Sequence, residues 1–283
     1  MPDMPCALCH QRLQLCDSHY MPKCFYNSAR HKGGADEIAA PVLGNMIDGV
    51  AKFTNSQVTK KLLCTNCEGL FDRQGERTIC AETKKHDRFV FRDDRMAGHT
   101  RTDNLSIEHF PDLDWKSYAY FAMSIVWRGS VTTWPGNHGS ITGTLKEYEE
   151  PIRKYLLGLS SFPKNFYIRV YVNTEDNVGT GFGFPFYETL RVNKRPAFRY
   201  EFNAPGLYFS VFHNKYFVGR ERAKYHVSPY PISFRKRDFM KWEGYRSLLF
   251  PVVDLKRKGK LGREFKCEHA VASLGSIIHQ DHF

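Results

Sequence analysis

Two cysteine pairs carry the clearest chemistry in the chain. Cys6-Ala7-Leu8-Cys9 and Cys64-Thr65-Asn66-Cys67 both have C-x-x-C spacing, in which a tight turn aims two thiolates at one cation. Two such turns complete the four-sulfur tetrahedral shell of a structural zinc ion, Zn²⁺. A redox dithiol uses a single pair inside a βαβ unit, a context that neither pair has. Cys16, Cys24 and Cys80 lack this spacing and read as buried free thiols. Seven of the eight cysteines precede residue 81, the distribution of a local metal module rather than of a disulfide framework spread over a secreted fold.

Between the pairs lies Leu15-Cys16-Asp17-Ser18-His19-Tyr20-Met21-Pro22-Lys23. The order C-x-x-C, Ser-His, apolar residues and Pro, then Leu62-Leu63-Cys64-x-x-Cys67, resembles the zinc-knuckle HNH (His-Me finger) endonucleases over residues 1–80. It is most similar to an uncharacterised bacterial branch with SH-x-x-PK in place of the usual DH motif. Ser124-Ile125-Val126-Trp127-Arg128 extends that resemblance into the second half of the chain.

The resemblance implies a ββα-metal fold. His19 would end the first strand and act as general base on a water that attacks phosphate. Glu68, directly after Cys67, matches the family's helix ligand for a catalytic Mg²⁺ or Mn²⁺. Ser18 stands where the family often has a metal-binding Asp, and a hydroxyl is a poor ligand for a hard cation. The middle Asn of the signature has no match. Asp17, Asp72 and Glu76 could restore carboxylates, since Glu68 and Asp72 share a face if a helix begins near Cys67. Each residue also has a plainer reading: His19 bonded to backbone, Glu68 solvated at a helix start, Lys23 on the surface. Two functions follow. One is a metal-dependent HNH-like endonuclease; the alternative is a non-catalytic, zinc-stabilised nucleic-acid-binding or interaction protein with a degenerate HNH site.

Charge sets the class of partner. Lys and Arg outnumber Asp and Glu by 41 to 30, a net charge of +11, which favours a polyanion whose counterions are released on binding. That makes a nucleic acid, DNA first, the expected partner. Arg235, Lys236 and Arg237 interleave with aromatic residues, the mix that stacks bases and grips a backbone. Lys256, Arg257 and Lys258 form a second strip, and Lys23 is a third candidate for phosphate contact. A charge run also reads as a solvated face. The Gly-rich stretch Gly179–Phe184 has no Lys-Ser/Thr after it and suits a strand bulge better than a phosphate loop. The longest apolar run, Tyr118–Trp127, is interrupted by Ser124 and falls well short of the roughly 20 residues that cross a bilayer. The N-terminus shows no signal-peptide pattern. A cytoplasmic protein with no membrane partner is therefore expected.

The elements that must hold these residues read as α+β: an N-terminal zinc-stabilised ββα-metal-like module (1–80), a connector (81–111), and a larger helix-then-antiparallel-sheet domain (112–283). Trp115, Tyr118, Phe121, Ala122 and Ile125 predict an amphipathic helix ending near Gly129. A second helix is predicted over 145–159, with Pro151 tolerable only in a first turn. NFYIRVYVN, AFRYEF and LYFSVFHNKYFVG read as strands, with a hairpin turn at His213-Asn214-Lys215. A short helix is predicted over 238–249.

Overall fold

The computed structural model describes residues 4–29, 31–32, 38–39, 42–45, 50–53, 57–83, 89–91, 113–135, 141–174, 181–192, 195–213, 232–239 and 241–242. Helices and sheets both occur, and the class is α+β.

Strand β1 (Leu15–His19) leads into helix α1 (Lys23–Ala29). Four short strands follow, β2 (His31–Lys32), β3 (Ile38–Ala39), β4 (Val42–Asn45) and β5 (Val50–Phe53), paired as β2-β3 and β4-β5. Strand β6 (Thr59–Cys64) then returns antiparallel to β1, with Leu15 opposite Cys64 and His19 opposite Thr59. Between Leu15 and Asp17 the register shifts, because β6 has one residue more than β1 there. Ser18 answers the bulge: its fully buried hydroxyl accepts the Leu63 N–H at 3.1 Å. An Asp at this position would bury a carboxylate where a neutral acceptor suffices.

Helix α2 (Thr65–Phe71) starts directly on Cys64 and passes through a π turn (Asp72–Glu76) into α3 (Arg77–Glu82). Gly75 lies in that π turn for a packing reason. A Cβ there would stand 2.9 Å from the Phe121 backbone nitrogen, so only glycine allows the two helices this close.

Helix α4 (Trp115–Val131) is the axle of the molecule. Every residue from Ser117 to Ser130 is buried, so the expected amphipathic helix is in fact covered on all sides. On one side Phe71 meets the rings of Tyr120 and Trp127, at 5.9 and 6.2 Å. On the other, Phe121 packs on Phe202 and Phe209 at 5.9 and 5.4 Å. The buried hydroxyls are satisfied locally: Ser117 donates to Asp114 at 2.6 Å and Ser124 to the Phe121 carbonyl at 2.8 Å. The second helix, α5 (Glu149–Leu156), is shorter than expected. A 3₁₀ turn (Lys146–Tyr148) precedes it, and Pro151 falls in its first turn.

The large sheet contains β7 (Phe166–Asn173), β8 (Gly183–Val192), β9 (Arg195–Ala204), β10 (Leu207–His213) and β11 (Ile232–Arg237), in the order β11-β7-β10-β9-β8. β11 runs parallel to β7, which corrects the expectation of an all-antiparallel sheet. Two residues, Pro205 and Gly206, join β9 to β10, and Gly206 takes the positive φ of 81° that this turn needs. The register of β8 against β9 slips between Gly183 and Phe186, at the end of the Gly-rich stretch. One sheet face packs on α4. The other carries Glu188, Arg199, Glu201 and Ser210, with Arg199 bridging the two carboxylates at 2.6 and 3.2 Å. Burial pushes the Glu201 carboxyl above the usual range. One hydrophobic cluster runs from Cys6 to Phe234, so the cysteine-rich part and the sheet share a core. The expected turn at His213–Lys215 and most of the 238–249 helix lie outside the described residues.

Cys24 and Cys80 form a disulfide, which corrects the free-thiol expectation for both. Helices α1 and α3 bring their Cα atoms to 6.0 Å, within bridging range. Cys16 is free, 3.4 Å from the Thr65 hydroxyl. The bridge spans 56 residues of sequence, a loop whose closure contributes about 4 kcal/mol in the chain-entropy picture. A Cys24→Ser, Cys80→Ser double variant is therefore expected to lose about that much unfolding free energy in a denaturant titration.

Candidate metal centre

The first cysteine pair sits in a tight loop closed by backbone. Cys6 N–H donates to the Gln11 carbonyl at 2.9 Å and His10 N–H to the Cys6 carbonyl at 2.8 Å, with His10 at a positive φ of 62°. Ala7 N–H reaches the Leu62 carbonyl at 3.0 Å, which docks the loop on β6. The second pair straddles the strand-to-helix junction, Cys64 capping α2 and Cys67 in its first turn. These two local geometries converge: the sulfurs of Cys6, Cys9, Cys64 and Cys67 all lie within 4.8 Å of one another.

The four cysteines are thus positioned to hold a metal ion. A tetrahedral zinc–thiolate shell sets its sulfurs about 3.8 Å apart, and Cys9 and Cys64 Sγ are 3.9 Å apart. Hydrogen bonding from the Cys67 thiol, aided by the Cys9, Cys64 and Leu8 backbone, holds Cys6 down to about 4. The same Cys6 contact and burial push Cys67 up, and burial pushes Cys9 up. A bound divalent ion removes this conflict by stabilising every thiolate at once. Helix α5 completes the setting, with the Arg153 guanidinium donating to the Leu8 carbonyl and pairing with Glu150 at 2.6 Å.

His19 is not part of this cluster. It ends β1 four residues beyond Leu15, the partner of Cys64, which is about 13 Å along the strand. The ring is partly exposed. Its Nε2 lies 2.5 Å from Gln57 Oε1, and its face meets the Tyr26 ring at 5.9 Å. Tyr26 is held in turn by the Val58 N–H, which donates to its hydroxyl at 3.2 Å. This contact fixes the orientation of the ring, with Nε2 turned to the Gln57 amide. The sequence marked neither Gln57 nor Tyr26. The signal is the register: with His19 opposite Thr59, the residues just before β6 fall beside the imidazole.

The other candidates are distributed as follows. Glu68 occupies the first turn of α2, and its Oε1 is buried with no hydrogen-bond partner among the described residues. Asp17 is exposed and pairs with Lys61 at 3.0 Å; Asp72 pairs with Arg77 at 2.5 Å. Apart from the cysteines, no group of three or more ligand side chains converges among the described residues. Glu76 is taken up by Arg128, whose guanidinium also donates to the His19 and Tyr20 carbonyls. Lys23 is exposed at the start of α1. Arg235 is buried, because the alternation of β11 sets it on the sheet face beside Tyr171. That corrects its expected place on a contact strip. Lys236 is half-buried, and Arg237 lies over the Trp242 ring at 4.7 Å. Lys256, Arg257 and Lys258 lie outside the described residues. No helix among the described residues is long and apolar enough to cross a membrane.

No family model, curated protein or solved structure matches the chain.

Proposed function

We propose that the chain is a zinc-stabilised, HNH-like endonuclease that hydrolyses nucleic-acid phosphodiesters, with His19 as general base. The observation that carries this reading is the state of His19. It stands at a strand end, partly exposed, with Nε2 against Gln57, an orientation in which Nδ1 could take a proton from water. The antiparallel pairing of β1 with β6 and the helix α2 that follows β6 support a ββα-metal reading, in which Cys6, Cys9, Cys64 and Cys67 would hold Zn²⁺.

Glu68 is the residue best suited to hold a catalytic Mg²⁺ or Mn²⁺. A buried carboxylate oxygen without a donor calls for a cation or an ordered water. Asp17 alternates onto the same side of β1 as His19, and its exposed pair with Lys61 costs at most about 1 kcal/mol to break. A divalent ion held by Glu68 would supply Lewis-acid stabilisation of the phosphate and the leaving oxygen. His19 orients and deprotonates the attacking water, and the chain's net charge of +11 draws in the polyanion.

The pairing of Asp17 and Asp72 with cations favours the second reading, a zinc-stabilised nucleic-acid-binding protein without hydrolysis. Incubating the zinc-loaded protein with supercoiled plasmid separates the two. Nicked and linear products are expected only when Mg²⁺ or Mn²⁺ is added. Retained DNA binding with no product in either ion would establish the second reading instead.

A further inference from the structure

Arg128 on α4 is a charge buried at 1% exposure in the middle of a core. Such a burial is costly unless the donors find acceptors; Nη1 and Nη2 do, and Nε has none among the described residues. Nη1 donates to the carbonyl oxygens of His19 and Tyr20 at 3.1 and 3.4 Å. Nη2 pairs with Glu76, and the guanidinium carbon lies 4.6 Å from the centre of the Phe71 ring. The Arg128 carbonyl accepts from Trp134 Nε1 at 2.9 Å, and the Trp134 ring stacks on Tyr20 at 4.7 Å.

These contacts share one geometry. His19 ends β1, and the peptide groups that follow it turn away toward α1. Arg128 holds both carbonyls of that turn with one planar fork. The other side of the fork holds Glu76, in the π turn of the helical run that begins with Glu68. Extra residues of this kind in a helix recur at functional sites. One guanidinium thus ties the strand end bearing His19 to the helical run bearing Glu68. Bracing the core needs only apolar side chains; fixing the direction of two peptide carbonyls needs a rigid, always-charged donor fork.

We propose that Arg128 is a positioning residue: it sets the direction of the His19 main chain, and so the place of the imidazole relative to Glu68. It does not touch the ring, and it acts through the backbone. The role rests on the nuclease reading for its consequence in catalysis, but not for its effect on the ring.

Arg128→Lys and Glu76→Gln test it in the full-length, zinc-loaded protein. Lysine has one point charge and cannot hold two carbonyls and a carboxylate together. The first readout is the His19 imidazole by long-range ¹H–¹⁵N NMR. The wild type is expected to show a single tautomer, and both variants a mixed or shifted pattern with zinc content unchanged. The second is plasmid cleavage, where kcat is expected to fall roughly 10- to 100-fold with KM within about twofold, as for a misplaced catalytic group. Folded variants whose His19 resonances and kcat match the wild type would overturn the proposal. Should Arg128→Lys fail to fold, Glu76→Gln decides by the same readouts. Should the wild type not cleave, the nuclease reading falls, and the His19 resonances alone decide for or against Arg128.

Discussion

Replacing Cys64 by serine is expected to leave the cysteine site unable to hold a metal ion and the N-terminal half unfolded. Cys64 serves three structures at once. It closes β6 opposite Leu15, it caps α2, and it supplies one of four converging sulfurs. Its backbone N–H also donates to the Cys6 sulfur at 3.3 Å. Serine can keep the first two roles but not the third. The binding energy of a four-thiolate zinc is on the order of 10–16 kcal/mol, as large as the 5–15 kcal/mol total stability of an ordinary domain. The loss propagates because Cys6, Cys64 and Cys67 belong to the same buried cluster as α4 and the sheet. Elemental analysis of the wild type is expected to give about one zinc per chain. Circular dichroism of Cys64→Ser should show loss of the cooperative thermal transition. A metal-free chain that keeps that transition would remove zinc from the structural role.

The second large effect is expected at His19. In His19→Ala, metal-dependent plasmid cleavage should fall by about 10²- to 10⁴-fold, the contribution of a general base. Stability should change little, because the ring is partly exposed and its contacts are one hydrogen bond to Gln57 and the 5.9 Å approach to the buried Tyr26 ring. Zinc content should be unchanged, since His19 stands apart from the four cysteines. A kcat loss with fold, metal and DNA binding intact is the signature of a group acting in the transition state. An equal loss of stability would instead mark His19 as structural.

The two cysteine knuckles were legible in the sequence because each is local: two ligands three positions apart need only a turn. His19 was legible through its motif. Gln57 and Arg128 were not, because what they do depends on partners 38 and 109 positions away. No periodicity encodes a strand register or the docking of α4. In the sequence, Arg128 was only the last residue of the Ser124–Arg128 segment. Its partners, two carbonyls beside His19, come only from the fold. The α4 helix looked amphipathic because Ala119, Ser124 and Gly129 fall outside the Trp115, Tyr118, Phe121, Ala122 and Ile125 stripe. Those small residues are where neighbours approach closely, and the helix is buried there too. The Cys24–Cys80 bridge follows from α1 lying beside α3, a contact with no spacing rule in the sequence. Ser18 looked like a defect in a metal site, but it has a place of its own in satisfying the β6 bulge.

The central claim is a hydrolytic metal centre at Glu68 and His19, separate from the cysteine site. Anomalous diffraction from crystals of the zinc-loaded protein soaked in Mn²⁺ tests it most directly. The expected result is a zinc-edge peak among the sulfurs of Cys6, Cys9, Cys64 and Cys67 and a manganese peak in contact with the Glu68 carboxylate. A Glu68 carboxylate free of manganese at saturating Mn²⁺, with the zinc peak in place, would contradict it.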